Sequence, residues 1–98
     1  MSPRAERALP ESQAARTIGS TIRDTRLEQN MTMEVLAERA ELSYQYLSEI
    51  ERGRCNFSIV VLDRIALALE VSLPALILKA SEQDPGKPQR SRRVRRRR

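Results

Sequence analysis

From Ser12 onward the chain repeats apolar positions every three to four residues, broken by short polar stretches, with hardly a β-branched alternating run. That rhythm predicts helices and no sheet. A first helix is expected over about Gln13 to Gln29, burying Ala15, Ile18, Ile22 and Leu27 along one stripe and stopping near Asn30, which tolerates the left-handed conformation. Thr32 is placed to cap a second helix, about Met33 to Ala40, with Glu34 favourable in its first turn. After the break "ELS", Ser43 caps a third helix over about Tyr44 to Arg52, which Gly53 ends. Ser58 caps a fourth, about Ile59 to Leu69, whose Leu62, Ile65, Ala66 and Leu69 share a face. Ser72 and Pro74 open a fifth that runs through about Lys79.

The ends do not keep the rhythm. Residues 1–11 read as a flexible N-terminus, and residues 81–98, ending "RSRRVRRRR", read as a disordered arginine-rich tail with too few apolar groups to offset ordering entropy. A single all-α domain of residues 12–80 lies between them.

The third helix carries unusual chemistry. Wound at about 100° per residue, "LSYQYLSEIERGR" (residues 42–54) sets Tyr46, Leu47 and Ile50 on one side and Tyr44, Gln45, Ser48, Glu49 and Arg52 on the opposite arc. Such an arc is either an ordinary solvated face or a surface that reads something polar. Two short helices joined by a three-residue turn form a helix-turn-helix, whose second helix lies in the DNA major groove. Leu36, Ala37, Ala40, Leu42, Leu47 and Ile50 must then share one small core, which leaves Tyr44, Gln45, Ser48 and Glu49 projecting where base edges would lie. Gln pairs bidentately with adenine and Glu accepts from the cytosine amino group.

The segment "TMEVLAERAELSYQYLSEIERGRCNFSIVVLDRIALALEVS" resembles the Cro and phage-repressor type helix-turn-helix, also called the xenobiotic-response-element family, and "IGSTIRDTRLEQNMT" is similar to its first helix. The resemblance covers about residues 17–78. It implies a five-helix, lambda-repressor-like DNA-binding domain with Arg26 paired to Glu51. It also implies base reading by Tyr44, Gln45, Ser48 and Glu49, and phosphate contacts from Thr32, Ser43, Arg52, Arg54 and Asn56. "YLSEIERGRCNFSI" resembles, in addition, the controller proteins of restriction-modification systems. Five positions depart from the family pattern: Met33 replaces a phosphate-gripping glutamine, Glu41 and Glu70 stand at common glycine positions, Phe57 replaces a common proline, and Cys55 replaces a common basic residue.

Composition narrows the choice of function. The 98 residues contain no histidine and one cysteine, Cys55, so the commonest general base and metal ligand are missing, as is any disulfide within the chain. No enzyme activity, cofactor or metal site is expected. No apolar run approaches a membrane span and the N-terminus lacks a signal-peptide core, so a cytoplasmic location is expected. The net charge of +5 conceals an asymmetry: Lys87 to Arg98 holds eight positive charges and no acid, leaving residues 1–86 at −3. The tail suits phosphate contact without sequence readout.

So small a core cannot hide all of "LPALIL" together with Val60 and Val61. An isologous homodimer seam formed by Val60, Val61, Leu73, Ile77 and Leu78 is therefore expected, which would let two recognition helices read an inverted repeat. The favoured function is a dimeric transcriptional regulator of double-stranded DNA, a repressor or autoregulator. The rivals are an antitoxin that neutralises a protein partner and a protein-interaction module that has lost DNA binding.

Overall fold

The computed structural model describes residues 12–83, and the expectations for the N-terminal segment 1–11 and for the arginine-rich tail from residue 84 onward lie outside them. Five helices follow in chain order: α1 (Gln13–Glu28), α2 (Met33–Ala40), α3 (Tyr44–Glu51), α4 (Ile59–Ala68) and α5 (Leu73–Gln83). The described residues contain no strand.

Each helix begins at a hydroxyl. Ser12, Thr32, Ser43, Ser58 and Ser72 each accept a hydrogen bond from the backbone N–H three residues on, at 2.9 to 3.1 Å. Such a cap satisfies one of the orphan donors of the first turn and is worth about 1 kcal/mol over alanine. The helix ends use backbone chirality instead. Asn30, Glu41, Gly53 and Glu70 all take positive φ, between 57° and 71°. The two glutamates occupy left-handed geometry that disfavours a side chain by roughly 1–2 kcal/mol.

Glu41 is held there by α4. Arg64 donates from Nε to the Ala40 carbonyl at 3.1 Å and from Nη2 to the Glu41 carbonyl at 2.6 Å, taking up two acceptors at the open end of α2. In the same way Gln29 donates its side-chain amide to the Leu69 carbonyl at 2.8 Å, joining the end of α1 to the end of α4.

The core is aliphatic, as three aromatic residues in the whole chain require. Ile22, Leu36, Leu47, Ile50, Ile65, Leu69 and Leu76 are the large apolar side chains fully withdrawn from solvent. They bring α1, α2, α3, α4 and α5 onto one centre. Met33, Leu42, Tyr46, Phe57 and Val61 pack around it, half-buried.

The stripe on α1 differs from the expected one. Leu27 is 49% exposed, Ala15 is half-buried, and the buried positions include Thr17, Thr21 and Thr25. Threonine enters the interior because its hydroxyl is satisfied within the helix: Thr21 donates to the Thr17 carbonyl and Thr25 to the Thr21 carbonyl, both at 2.8 Å. The threonine face also receives α5. Lys79 Nζ donates to Thr25 Oγ1 at 3.0 Å and to Glu28 Oε1 at 2.9 Å, and Thr21 Oγ1 lies 3.0 Å from Gln83 Oε1. These ties, with Ala80 buried, carry α5 through Gln83, four residues past its expected end near Lys79.

Candidate nucleic-acid interface

Leu47 and Ile50, both fully buried, fasten α3 to the core, and Tyr46 supports them from a half-buried position. A close approach between α1 and α3 completes the seating. A Cβ built on Gly19 would lie 2.7 Å from the Glu51 carbonyl oxygen and closer still to that of Ile50, so only glycine lets the two backbones approach this far. Gly53 plays a similar part just after α3, where φ is +71° and a Cβ would meet the Arg16 backbone at 2.6 Å.

Beside this crossing, Arg26 and Glu51 form a bidentate pair. Arg26 Nε donates to Glu51 Oε2 at 2.9 Å and Nη2 donates to Oε1 at 3.1 Å, while Nη1 donates to the Met31 carbonyl at 2.9 Å. Both side chains are almost wholly withdrawn from solvent. The hydrogen bond to Glu51 holds the Arg26 pKa above its ordinary value, against burial, which lowers it; the Glu51 charge, Tyr44 and Glu34 act in the same upward sense. A raised base stays protonated below its unfolded-state pKa and loses that stabilisation only as pH climbs through the folded value. Arg26 therefore keeps its charge throughout the neutral and mildly alkaline range.

With its inner side fixed, α3 presents the other arc. Tyr44 is 52% exposed and Gln45 is exposed, while Ser48 and Glu49 are half-buried. Arg52, Arg54 and Asn56 are exposed just beyond the helix. Thr32 and Ser43 are exposed as well, but their hydroxyls are occupied in capping α2 and α3. Any phosphate they meet would find the free backbone N–H groups of those first turns, where the helix dipole favours anions.

A cleft of about 660 Å³ opens between α1 and α3, lined by Arg23, Met33, Tyr44, Ser48, Glu51, Arg52 and Arg54. Arg23 was not among the residues picked from the sequence. It stands three residues before Arg26, one turn away on α1, and only the folded chain brings it to the cleft beside α3. Cys55 is half-buried, and burial, aided by the charge of Glu49, pushes its thiol pKa up, which leaves it protonated and weakly nucleophilic at neutral pH. Among the described residues no group of three or more His, Cys, Asp or Glu side chains could hold a metal ion. Nor is any helix among them long and apolar enough to cross a membrane.

The residues expected at a dimer seam divide by exposure. Val60 (62%), Leu78 (59%) and Ile77 (38%) are exposed, whereas Val61 and Leu73 are half-buried against the core. Ile59 and Leu67 are exposed to a similar degree and were not in the expected set.

A capped two-helix motif, seated by a third helix and showing a polar arc outward, is the geometry of a helix-turn-helix domain. Residues 22–76, more than half of the chain, match the family model described as helix-turn-helix. The chain belongs to this family, in its Cro and phage-repressor type, a family of DNA-binding transcription regulators.

Its particular relatives are regulators too. The chain is 41% identical over 61 residues to the immunity repressor protein of Bacillus phage phi105, covering 62% of this chain and 42% of the repressor. The crystal structure of the clp gene regulator ClgR from Corynebacterium glutamicum matches with a TM-score of 0.73 and 29% identity, over 88% of this chain and 92% of that one. The restriction-modification controller protein C.Esp1396I, solved bound to a 19 base pair DNA duplex, matches with a TM-score of 0.64 and 35% identity, over 70% and 96% of the two chains. Both resemblances drawn from the motifs, to phage repressors and to controller proteins, therefore stand. The chain spans about half the length of the curated relatives it matches.

Proposed function

We propose that this protein is a DNA-binding transcriptional regulator that lays α3 in the major groove of duplex DNA and acts as a homodimer on an inverted repeat. The observation that carries the reading is the two-sided build of α3. One side is locked by Leu47, Ile50 and the Arg26–Glu51 pair, so the opposite arc is held rigidly outward. Tyr44, Gln45, Ser48 and Glu49 on that arc read base edges. Thr32, Ser43, Arg52, Arg54 and Asn56 flank them and hold the backbone.

Pairing two such domains is the economical route to specificity, since one recognition helix reads only a few base pairs. Val60, Ile77 and Leu78 supply the exposed apolar surface for the seam, with Val61 and Leu73 behind them. Two-fold symmetry then places the half-sites about one helical turn, roughly 34 Å, apart. Occlusion of a promoter is the simplest regulatory consequence, and the phage repressor among the relatives supports it.

Selection of bound DNA from a random duplex library tests the reading. The expected product is a short inverted repeat in which Gln45→Ala or Glu49→Ala each relaxes preference at one position per half-site, by about 1–3 kcal/mol per bidentate contact. Absence of enrichment would defeat it.

A further inference from the structure

Two arginines one turn apart on α1 are in opposite situations. Arg26 is buried with three of its nitrogens donating, whereas Arg23 is exposed and makes no hydrogen bond or ion pair with another described residue. Arg23, from α1, lines the 660 Å³ cleft together with Arg52, Arg54 and the hydroxyl-bearing side chains of Tyr44 and Ser48. Arg54 is already engaged by another group and contributes mainly its charge.

The cleft's electrostatics are one-sided. Among the described residues that line it the only carboxylate is Glu51, and both of that residue's oxygens accept from Arg26. Among the described residues that line the cleft, Arg23 and Arg52 therefore face no carboxylate left to neutralise them, Arg54 adds positive charge, and Met33 adds a thioether that is at best a weak acceptor. Planar guanidinium forks match phosphate oxygens bidentately, and hydroxyl groups supply the neutral donors of such a seat.

We propose that this cleft seats a DNA backbone phosphodiester and that Arg23, from outside the two-helix motif, is one of its clamps together with Arg52. The proposal rests on the DNA-binding reading above and adds a contact to it. It also places Tyr44 and Ser48 at the border between backbone and base edge, leaving Gln45 and Glu49 as the more purely base-facing pair. Because α1 also carries Arg26, one helix then holds both the recognition helix and the phosphate beside it.

The test uses the full chain and its selected duplex, with affinity measured across a potassium chloride series. Arg23→Gln should weaken binding about tenfold at low salt, as expected for loss of a charge-assisted contact. It should lower the log-log salt slope by about 0.9, the value for one neutralised phosphate. Base preferences and melting temperature should stay the same, and Arg23→Lys should restore the slope. An unchanged slope in Arg23→Gln, with the wild type binding normally, would overturn the clamp alone; a wild type that binds no duplex would overturn the clamp and the DNA reading together. Altered base preference with an unchanged slope would make Arg23 a reader rather than a clamp. A final arm titrates inorganic phosphate at constant ionic strength: millimolar phosphate that binds the wild type but not Arg23→Gln, and leaves duplex affinity unchanged, would assign the cleft to a free anion and overturn the proposal.

Discussion

The crossing of α1 with α3 hides charge, and the outer sides of α4 and α5 show hydrocarbon. At the first, Arg26 and Glu51 are each 7% exposed; at the second, Val60 and Leu78 are about 60% exposed. Each reverses the ordinary distribution of charged and aliphatic residues. The reversals have different consequences. A buried, fully hydrogen-bonded ion pair adds little net stability over an apolar replacement, but breaking it from one side is expensive, so it fixes orientation. Exposed aliphatics cost the folded monomer little and acquire value only when another surface covers them. The polar region aims α3, and the apolar region is suited to joining two copies.

The comparison breaks most severely at Glu51. Glu51→Ala strands Arg26 and should cost about 3–5 kcal/mol in denaturant unfolding. The double variant Arg26→Met, Glu51→Leu should recover most of that stability while DNA affinity remains low, because packing is restored without the bidentate register. Equal affinity in the double variant and wild type would show that the pair does not orient α3.

Gly19→Ala comes next. The added Cβ has to displace the α3 backbone or that of α1, so a loss of roughly 1–3 kcal/mol is expected from overpacking. The same substitution at an exposed position of α1, such as Ser20, should be neutral or stabilising, and a thermal melt distinguishes the two.

A smaller change, of opposite sign, is expected at the end of α2. Glu41→Gly should stabilise the domain by about 1 kcal/mol, since glycine takes φ near 61° without the Cβ penalty. The Arg64 bonds to the Ala40 and Glu41 carbonyls need no side chain at residue 41 and remain available.

The smallest effect on the fold belongs to the apolar region. Leu78→Lys should leave unfolding free energy within about 0.5 kcal/mol, as surface substitutions do. It should nevertheless shift sedimentation toward the monomer and weaken binding to an inverted repeat much more than to a half-site. A variant that stays dimeric would move the seam away from α5.

Much of the architecture was legible because local rules decide it. Hydroxyl residues before apolar periodic runs marked four of the five helix starts, the Ser12 cap of α1 emerging only in the fold, and "ELS" between two short helices set the motif. Leu27 was misread because periodicity treats an aliphatic residue as inward and a threonine as neutral. In the folded chain Thr17, Thr21 and Thr25 form the inward stripe, two of these hydroxyls having donated to carbonyls within their own helix. Gly19 and Arg23 were overlooked for a different reason. Their importance comes from their approach to α3, which begins more than 20 residues further along the chain, a relation no local pattern encodes.

The sequence by itself determined the helices, their caps and the polar arc of α3, since capping, periodicity and turn chemistry act over three or four residues. Tertiary structure alone decided which charges are hidden and which are offered. Arg23 and Arg26 have the same side chain on the same helix, yet one is tied to Glu51 and the other faces an open cleft. Contact with α3 makes that difference, because a guanidinium leaves water only where an acceptor set is already in place to receive it.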